Sequence, residues 1–242
     1  MTTHAMVGRF SQARGDPSLA LLEGFHPLKH AIRFGAELLE VASVDVEKVR
    51  QMAAELAPDI LNRLEEHLVE VPARIFGQMA PLPPATGVIA IARRPTLSLE
   101  GMLASPAPNP VVFLEEPSNL GNMGAVIRVA AAAGAGGVIT SGIHDPWQPS
   151  ALRGSAGLHF SIPVLQTRSL PDCDRPLVAV HPDGEPLQTS MLPERAILAF
   201  GSERRGLSRE LLSKADSHIA IAMREGVSSL NLATAVAVVL YA

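Results

Sequence analysis

Two polar stretches in an otherwise apolar part of the chain decide the fold: residues 197–207 read ILAFGSERRGL, and residues 219–232 read IAIAMREGVSSLNL. Each begins with an aliphatic run typical of a buried strand and continues into glycine and polar residues that open a helical pattern. Backbone N–H groups are free at such strand-to-helix turns, and α/β proteins therefore bind ligands there. Two such turns on neighbouring strands predict one shared pocket.

The composition favours a soluble α/β protein with a sizeable core. The chain has 242 residues, of which 47% are hydrophobic and only 4% aromatic, so aliphatic side chains must fill that core. The net charge of −4 argues against binding of nucleic acid by bulk charge alone, but it leaves a local basic patch open. The single cysteine, Cys173, excludes an internal disulfide and a multi-cysteine metal site. No apolar run reaches the length of a signal-peptide core or a membrane span, which predicts a cytoplasmic protein.

The chain predicts two α/β domains joined by a short linker. Residues 1–15 lack periodicity and are expected to form a flexible tail. Residues 16–98 alternate helices with strands, with one helix expected from Ser18 to about Glu40. The proline-rich stretch 99–109 is the expected linker. Residues 110–242 carry continuous apolar runs, which indicate a mostly parallel sheet. The strands predicted there are Val111–Leu114, Gly137–Thr140, Ile162–Leu165, Leu177–Val180, Ile197–Phe200 and Ile219–Ile221, and the helices are Gly124–Ala133 and Ser229–Ala242.

A third polar segment, PSNLGNMGAVIR at residues 117–128, follows the first of these strands. Its simplest interpretation is a loop in which Asn122 caps an Ala-rich helix. Arg128 is unusual, because it lies one turn inside an otherwise apolar helix, where a buried arginine needs anionic or carbonyl partners. The spacing of Gly121 and Gly124 differs from the GxGxxG pattern of dinucleotide-binding proteins, but a nucleotide-dependent oxidoreductase stays an alternative.

A polar, glycine-rich loop system lies between the predicted strands, with HDPW at residues 144–147 and ALRGSAG at residues 151–157. It fits an ordinary surface loop, and it also fits a role for Arg153 and Ser155 as contacts to the phosphate and sugar of a nucleic acid. His144 has no other His or Cys at metal-ligand spacing, so no zinc site is predicted.

Glu203, Ser229 and Asn231 each have a simple structural interpretation as well. Glu203 suits the positive end of a helix dipole, Ser229 suits an N-cap, and Asn231 would then lie in the first helical turn. However, Asn122 and Arg128 also follow a predicted strand, as these three residues do. This shared position favours one common site.

Together the three polar segments resemble motifs 1, 2 and 3 of the SpoU/TrmH family of RNA ribose 2′-O-methyltransferases, in the SPOUT superfamily. The pattern NxGAxxR matches residues 122–128, GxExxG matches residues 201–206, and IPM…SLN matches residues 221–231 with Ala222 in place of the usual proline. The resemblance covers about residues 108–242. Residues 18–98 resemble, more loosely, the substrate-binding domain that often precedes this catalytic domain.

The resemblance implies a fold and a reaction. The implied fold is an α/β SPOUT domain with a mostly parallel sheet and a deep trefoil knot, a rare exception to unknotted topology, preceded by a small ribosomal-protein-like α/β domain that binds RNA. The implied reaction is methyl transfer from S-adenosylmethionine to a ribose 2′-hydroxyl of structured RNA, either ribosomal or transfer RNA, by a homodimer without a metal ion. A non-catalytic RNA-binding relative is the main alternative.

The resemblance also implies roles for individual residues. The catalytic residues are expected to be Arg128, Asn122, Glu203, Ser229 and Asn231. The residues expected to bind the cofactor are Leu198, Phe200, Gly201, Ile221, Met223 and Leu230. RNA contacts are expected at Arg153, Ser155, Arg204 and Arg205. Because a guanidinium rarely gives up its proton, the arginine of motif 1 is expected to stabilise negative charge on the ribose oxygen rather than to act as a base.

Overall fold

The computed structural model describes residues 3–188 and 192–242, which form two compact units. The first unit comprises the chain up to Thr96 together with Trp147–Ser161. The second comprises Leu97–Pro146 together with Ile162–Ala242. An internal segment of the predicted second domain therefore belongs to the first unit.

The helices and strands alternate along most of the chain. In chain order they are α1 (Thr3–Ala13), β1 (Leu19–Glu23), α2 (Phe25–Arg33), β2 (Leu38–Ser43), α3 (Val46–Leu56), a 3-10 turn (Pro58–Ile60), α4 (Leu61–Glu65), β3 (Leu68–Glu70), α5 (Ala73–Met79), β4 (Val88–Arg93), α6 (Leu99–Ala104), β5 (Val111–Leu114), α7 (Leu120–Ala132), β6 (Gly137–Thr140), α8 (Pro149–Gly154), a 3-10 turn (Leu158–Phe160), β7 (Val164–Gln166), β8 (Leu177–Pro186), β9 (Ile197–Phe200), α9 (Arg209–Lys214), β10 (Ser217–Ala220) and α10 (Leu232–Leu240).

The first unit is built on a sheet of mixed direction with strand order β1-β4-β2-β3. β4 is antiparallel to both β1 and β2, and β2 is parallel to β3. β1 lies where the sequence predicts a helix. Its Leu21 and Leu22 are buried on opposite faces of the sheet, and Gly24 ends the strand with a φ of 108° that other residues rarely adopt. Pairing with β4 thus overrides the helical spacing of apolar residues.

Residues 3–13 form the helix α1 rather than a flexible tail, and residues 1–2 of the predicted tail lie outside the described residues. Phe10 is completely buried and Met6 is 4% exposed, both in the core of the first unit. Arg14 follows the helix and donates to the Glu23 carboxylate at 3.1 Å and to the Met79 carbonyl at 2.8 Å. The prediction of a tail is wrong because packing on the sheet, which local sequence does not reveal, stabilises this helix.

Residues 147–161 also pack in the first unit, through α8 and the 3-10 turn that follows it. Gly157 has a φ of 79°, and a Cβ at this position would lie 2.4 Å from the carbonyl oxygen of Pro27. Only glycine permits so close an approach of the two backbones. His30 Nδ1 lies 2.6 Å from the carbonyl oxygen of Ala156 and adds a polar contact beside it.

The second unit is built on a parallel sheet. Within residues 97–146, 162–188 and 192–242, six strands pair in the order β10-β8-β9-β5-β6-β7, each parallel to its neighbours. β5, β6 and β9 have the bounds predicted from their apolar runs, and each is buried along its whole length. The mostly parallel α/β fold is therefore confirmed, while the trefoil knot stays a prediction.

The predicted linker is part of the second unit. Its residues form α6, whose Met102 and Leu103 are buried in the core beside the sheet. Arg175 is 4% exposed and donates to the backbone carbonyls of Leu103 at 2.8 Å and Asn109 at 3.0 Å. Burial lowers the pKa of Arg175, and carbonyl oxygens take the place of water around its charge. The proline-rich stretch is thus a packed segment of the second unit and not a free linker.

Candidate active site

The three polar segments start at the same edge of the parallel sheet. β5 and β9 are adjacent, with Leu114 opposite Phe200, so the chain leaves both strands side by side. β10 ends at Ala220, one residue earlier than predicted, and β8 separates it from β9, so these two strands are not neighbours as predicted. Because all these strands are parallel, their carboxyl ends meet at one edge, where α/β proteins bind ligands.

Asn119, and not Asn122, caps the helix that carries Arg128. α7 begins at Leu120, and the side-chain oxygen of Asn119 accepts a hydrogen bond from the backbone N–H of Asn122 at 2.9 Å. This corrects the predicted N-cap. Asn122 instead lies in the first turn of the helix, where its side-chain amide bonds to other segments.

Gly201 permits the tight turn that carries Glu203. The N–H of Gly206 donates to the carbonyl of Ser202 at 2.9 Å, which closes the turn. A Cβ at residue 201 would lie 2.0 Å from the carbonyl carbon of Gly206. No side chain fits there, so the turn itself requires glycine at this position.

A chain of hydrogen bonds joins the three segments. Asn122 Nδ2 donates to Glu203 Oε1 at 2.8 Å, and Asn231 Nδ2 donates to Asn122 Oδ1 at 3.1 Å. Asn231 Oδ1 accepts from the backbone N–H of Ala233 at 3.0 Å and thereby caps α10. At the other end, Ser118 donates its N–H and its hydroxyl to Glu203 Oε2, at 3.2 and 2.8 Å. Three of the predicted catalytic residues are therefore in contact, and a serine that the sequence analysis missed joins them.

The chemistry of donors and acceptors determines the direction of donation along these hydrogen bonds. Since a backbone N–H only donates, the oxygen of the Asn231 amide faces α10 and its nitrogen faces Asn122. The oxygen of Asn122 accepts that bond, so its nitrogen faces Glu203. Both carboxylate oxygens of Glu203 then accept, as an ionised carboxylate does.

The surroundings of Glu203 keep it ionised. Partial removal from solvent, taken alone, raises the pKa of its carboxyl, but the hydrogen bonds from Asn122 and Ser118 outweigh this effect. The pKa of Glu203 is therefore lower than that of a free glutamate. The carboxylate can hold two other segments in place at neutral pH.

Arg128 and Ser229 keep their polar groups available. Arg128 is on the exposed side of α7, because Ile127 and Ala130 take the buried side. Among residues 3–188 and 192–242, neither the Arg128 guanidinium nor the exposed Ser229 hydroxyl has a hydrogen-bond or ion-pair partner. The expected burial of Arg128 is thus wrong, and Asn231 takes the N-cap position considered for Ser229.

A cleft of about 690 Å³ lies beside these segments. Five of the residues predicted to bind the cofactor line it, namely Phe200, Gly201, Ile221, Met223 and Leu230. Leu198 does not, since it is 1% exposed in the middle of β9 and packs in the core, two residues before the edge of the sheet. The prediction for Leu198 is corrected accordingly.

Val180, His181 and Pro182 of β8 form one wall of the cleft, which was not predicted from the sequence. β8 is irregular here, because its register against β10 shifts between His218 and Ile219. The residues HPDG at 181–184 break an apolar run in the same way as the other polar segments, and this signal was available in the sequence.

The cleft suits a ligand with a flat apolar part and polar ends. Its volume is within the range of small-molecule sites, about 300–1,000 Å³. Phe200, Met223 and Leu230 provide apolar surface, and Gly201 brings bare backbone to the wall. These features fit S-adenosylmethionine, which has an adenine ring at one end and a charged amino-acid group at the other.

Arg204 and Arg205 line the same cleft and are exposed. The Arg205 side chain is 83% exposed, with Nη1 3.9 Å from the carboxylate of Glu116. An exposed pair at this distance contributes little, so the guanidinium stays accessible to a phosphate.

Arg153 and Ser155 have a different environment, in the first unit. Arg153 forms an ion pair with Glu23, whose side chain is only 5% exposed. Ser155 is completely buried, and its hydroxyl contacts His159 Nδ1 at 2.7 Å and the Leu152 carbonyl at 3.1 Å. The expectation that Ser155 contacts RNA is therefore corrected, because its hydroxyl is closed off from the surface. Arg153 is already engaged by a buried carboxylate.

Three further features bear on the function: a second cavity, the grouping of metal-binding side chains, and the length of apolar helices. A second cavity, of about 350 Å³ beside α9, contains none of the predicted residues. Among the residues that the structure describes, no three His, Cys, Asp or Glu side chains are grouped to hold a metal ion. In the same part of the chain, no helix has the length and apolar character needed to cross a membrane.

The sequence is similar to those of known RNA methyltransferases. The sequence model of the SpoU rRNA Methylase family matches residues 109–241. A protein of Synechocystis, called an uncharacterized tRNA/rRNA methyltransferase, is 33% identical, over 98% of this chain and 86% of its own length. The 23S rRNA (adenosine(1067)-2′-O)-methyltransferase of Streptomyces laurentii is 29% identical, over 91% of this chain and 84% of its own length.

The fold is similar to that of solved structures as well. The SpoU methyltransferase AviRb of Streptomyces viridochromogenes, solved with the cofactor AdoMet, superposes with a TM-score of 0.77 at 22% identity, covering 98% of this chain and 96% of its own. That likeness shows a shared fold. Because the family model matches more than half of the chain and includes all three polar segments, the chain belongs to the SpoU rRNA methylase family.

Proposed function

We propose that the protein transfers a methyl group from S-adenosylmethionine to a ribose 2′-hydroxyl of ribosomal RNA. The observation that carries this proposal is the hydrogen-bond chain of Ser118, Glu203, Asn122 and Asn231, which joins the three family motifs beside one cleft. The relative from Streptomyces laurentii is named for this reaction on 23S rRNA. Family membership supports the same class of reaction.

The cleft would hold the cofactor through backbone and apolar contacts. Backbone groups at Gly201, Ile221 and Leu230 would bind its polar atoms, and Phe200 and Met223 would pack against its adenine. When bound, S-adenosylmethionine supplies an electrophilic methyl group on a positively charged sulfur. The protein's task is then to orient the RNA hydroxyl and to assist the loss of its proton.

Arg128 and Ser229 would act on the ribose. A neutral hydroxyl is a poor nucleophile, so the site must stabilise negative charge as it develops on the oxygen. Arg128 offers a permanent positive charge that is exposed and unengaged within the described part of the chain. Ser229 offers a hydroxyl on the adjoining segment. The polar side-chain atoms of Asn122 and Glu203 are hydrogen-bonded to each other and to neighbouring residues. These two residues would therefore hold in place the segments that carry Arg128 and Ser229.

RNA would approach through a local patch, since the net charge of −4 provides no general attraction. Arg204 and Arg205 are exposed beside the cleft and would contact phosphates. Arg128 would hold the phosphate next to the target ribose. We propose that the protein is cytoplasmic, because the relative named for methylation of 23S rRNA is a protein of a bacterium, Streptomyces laurentii.

We propose further that the protein acts as a homodimer through α7 and α10. These helices pack against each other, Val238 of α10 is 39% exposed, and Tyr241, which follows α10, is 67% exposed. Ala132 of α7 is exposed one turn after Arg128. Contact with a second copy would remove this apolar surface from water and would bring Arg128 to the interface, where it can serve the partner's cleft.

The test is methyl transfer in vitro. Purified protein is incubated with S-adenosylmethionine carrying a trideuterated methyl group and with unmodified ribosomal RNA transcribed in vitro. The RNA is then digested and its nucleosides analysed by mass spectrometry. We expect a nucleoside with the label on the ribose 2′-oxygen.

Two results would contradict the proposal, and they differ in meaning. A label on a base would show a different methyl transfer reaction. Calorimetry that detects RNA binding but no binding of S-adenosylmethionine would identify a non-catalytic RNA-binding relative.

A further inference from the structure

Ser118 is the one member of the hydrogen-bond chain that none of the three motifs contains. It follows β5 in the loop before α7 and is exposed. Both of its donors point at one atom, Oε2 of Glu203, with the backbone N–H at 3.2 Å and the hydroxyl at 2.8 Å. This contact spans 85 residues of sequence and joins the loop before α7 to the turn that carries Glu203.

Ser118 has no evident purely local role. The N-cap of α7 is Asn119, so the helix does not need the serine hydroxyl for its first turn. Ser118 does not line the cofactor cleft. Because it is exposed, its side chain also contributes little to the core.

The direction of the hydrogen-bond chain explains why Glu203 Oε2 needs a donor. Donation runs from the N-terminus of α10 through Asn231 and Asn122 and ends at Glu203 Oε1. The other carboxylate oxygen, Oε2, needs donors of its own, or the carboxylate is free to rotate about its terminal bond. Hydrogen bonds to an ionised group are the stronger kind, so two donors on Oε2 hold the carboxylate plane.

We propose that Ser118 is a positioning residue for methyl transfer, which fixes the Glu203 carboxylate and through it Asn122 and the α7 turn that leads to Arg128. This inference rests on the proposed function. Arg128 lies on the same helix as Asn122, so a shift of that turn moves the charge that faces the ribose. A small misplacement of a catalytic group has a large effect on rate.

The test compares Ser118→Ala, Ser118→Thr and Ser213→Ala. Threonine keeps the hydroxyl, and Ser213 is an exposed serine of α9 whose hydroxyl bonds, among the residues that the structure describes, only to the Glu210 carbonyl of its own helix. Single-turnover transfer to in vitro transcribed 23S rRNA is measured at saturating S-adenosylmethionine and RNA. The Kd of the cofactor is measured by calorimetry.

We expect Ser118→Ala to slow transfer roughly tenfold, the size expected for one hydrogen bond to a charged group when the backbone donor remains. The cofactor Kd should not change, Ser118→Thr should restore most of the rate, and Ser213→Ala should match the wild type. A wild-type rate for Ser118→Ala, or no rescue by threonine, would overturn the inference.

A second measurement keeps the inference testable apart from the reaction. Carbon-13 NMR of labelled glutamate side chains follows the titration of Glu203 in the wild type and in each variant. Loss of a donor to the ionised form should raise the pKa of Glu203 in Ser118→Ala, and threonine should reverse this. If the wild type transfers no methyl group to RNA, the proposed function fails, and an unchanged titration in Ser118→Ala would then reject the positioning bond by itself.

Discussion

Two polar, glycine-containing regions of this chain, the carboxyl edge of the parallel sheet and residues 147–161, look alike in sequence but differ in whether their polar groups are engaged by other residues. At the carboxyl edge of the parallel sheet, Arg128 and Ser229 present polar groups that no other residue in the described ranges engages. In residues 147–161, Ser155 is buried with its hydroxyl bonded, and Arg153 is paired with a buried carboxylate. A binding segment is therefore marked by polar groups left available at the surface, and not by its composition.

The largest expected effect comes from removal of the exposed charge. Arg128→Ala should lower kcat by about 10²–10³, because electrostatic stabilisation of the transition state is lost. Cofactor affinity and melting temperature should stay the same, since the side chain is exposed and outside the cleft. Arg209→Ala, which removes an exposed arginine of α9, is the matched control and should leave kcat unchanged. Transfer by Arg128→Ala at the wild-type rate would remove this residue from the mechanism.

Glu203→Gln should have the next largest effect. The NH₂ group of the glutamine amide would face either the two donors of Ser118 or the Nδ2 donor of Asn122. In either orientation, one hydrogen bond is replaced by two donors that face each other. We expect kcat to fall by roughly tenfold to a hundredfold. Glu210→Gln on α9 is the control of the same size, and it should transfer normally. Equal rates for the two variants would show that the hydrogen-bond chain has no part in the reaction.

The pKa of Glu203 also sets the direction of acid sensitivity. A carboxyl whose pKa is lower in the folded than in the unfolded protein stabilises the fold above the unfolded value, and this contribution is lost as pH falls through the folded value. The activity of the wild type should therefore persist down to the usual pKa of glutamate, about 4.3, and decline below it. In Glu203→Gln this acid limb should disappear. A decline of the wild type already near neutral pH would point to a different titrating group.

Val238→Glu extends the comparison from polar groups to an apolar side chain that is left exposed. Val238 lies on α10 and would be at the proposed dimer interface. A buried charge without a partner should weaken dimerisation by at least about tenfold. Light scattering over a range of concentrations measures the change. Leu82→Glu is the control, because Leu82 is a 77% exposed aliphatic residue of the first unit. A wild type that is monomeric at all concentrations would contradict the dimer.

The smallest expected effect concerns residues 147–161, where Ser155 is buried with its hydroxyl bonded. Ser155→Ala should reduce the free energy of unfolding by about 1–3 kcal/mol, since His159 Nδ1 loses its 2.7 Å contact with this buried hydroxyl, while the Leu152 carbonyl and the Gly157 N–H keep their bond to each other. Transfer below the melting temperature should be unaffected. Denaturant unfolding measures the change, with Ser213→Ala expected within about 0.5 kcal/mol of the wild type. A loss of transfer without a loss of stability would return Ser155 to the list of RNA contacts.

Local patterns in the sequence were enough to predict the second unit in outline. β5, β6 and β9 are short runs of apolar residues buried on both faces, and their bounds agree with the prediction. The motifs also placed Asn122, Glu203 and Asn231 at one edge, where they do meet. These features depend on hydrophobicity and on spacing, which a single sequence displays.

Features that depend on non-local packing were not predictable in the same way. β1 forms because β4 pairs with it, and residues 147–161 pack in the first unit because Glu23 and Pro27 lie there. The hydrogen bonds of Ser118 require the turn at Glu203, which lies 85 residues further along the chain. A lone serine in a loop carries no sign of such a contact.

The most direct test of the central claim compares the two arginines. Arg128→Ala and Arg153→Ala are assayed side by side for single-turnover methyl transfer to ribosomal RNA, at saturating cofactor and RNA, and for melting temperature. We predict that Arg128→Ala loses transfer by at least about a hundredfold and melts like the wild type, while Arg153→Ala melts earlier and transfers at nearly the wild-type rate. The reverse pattern, with transfer lost in Arg153→Ala and kept in Arg128→Ala, would contradict the account.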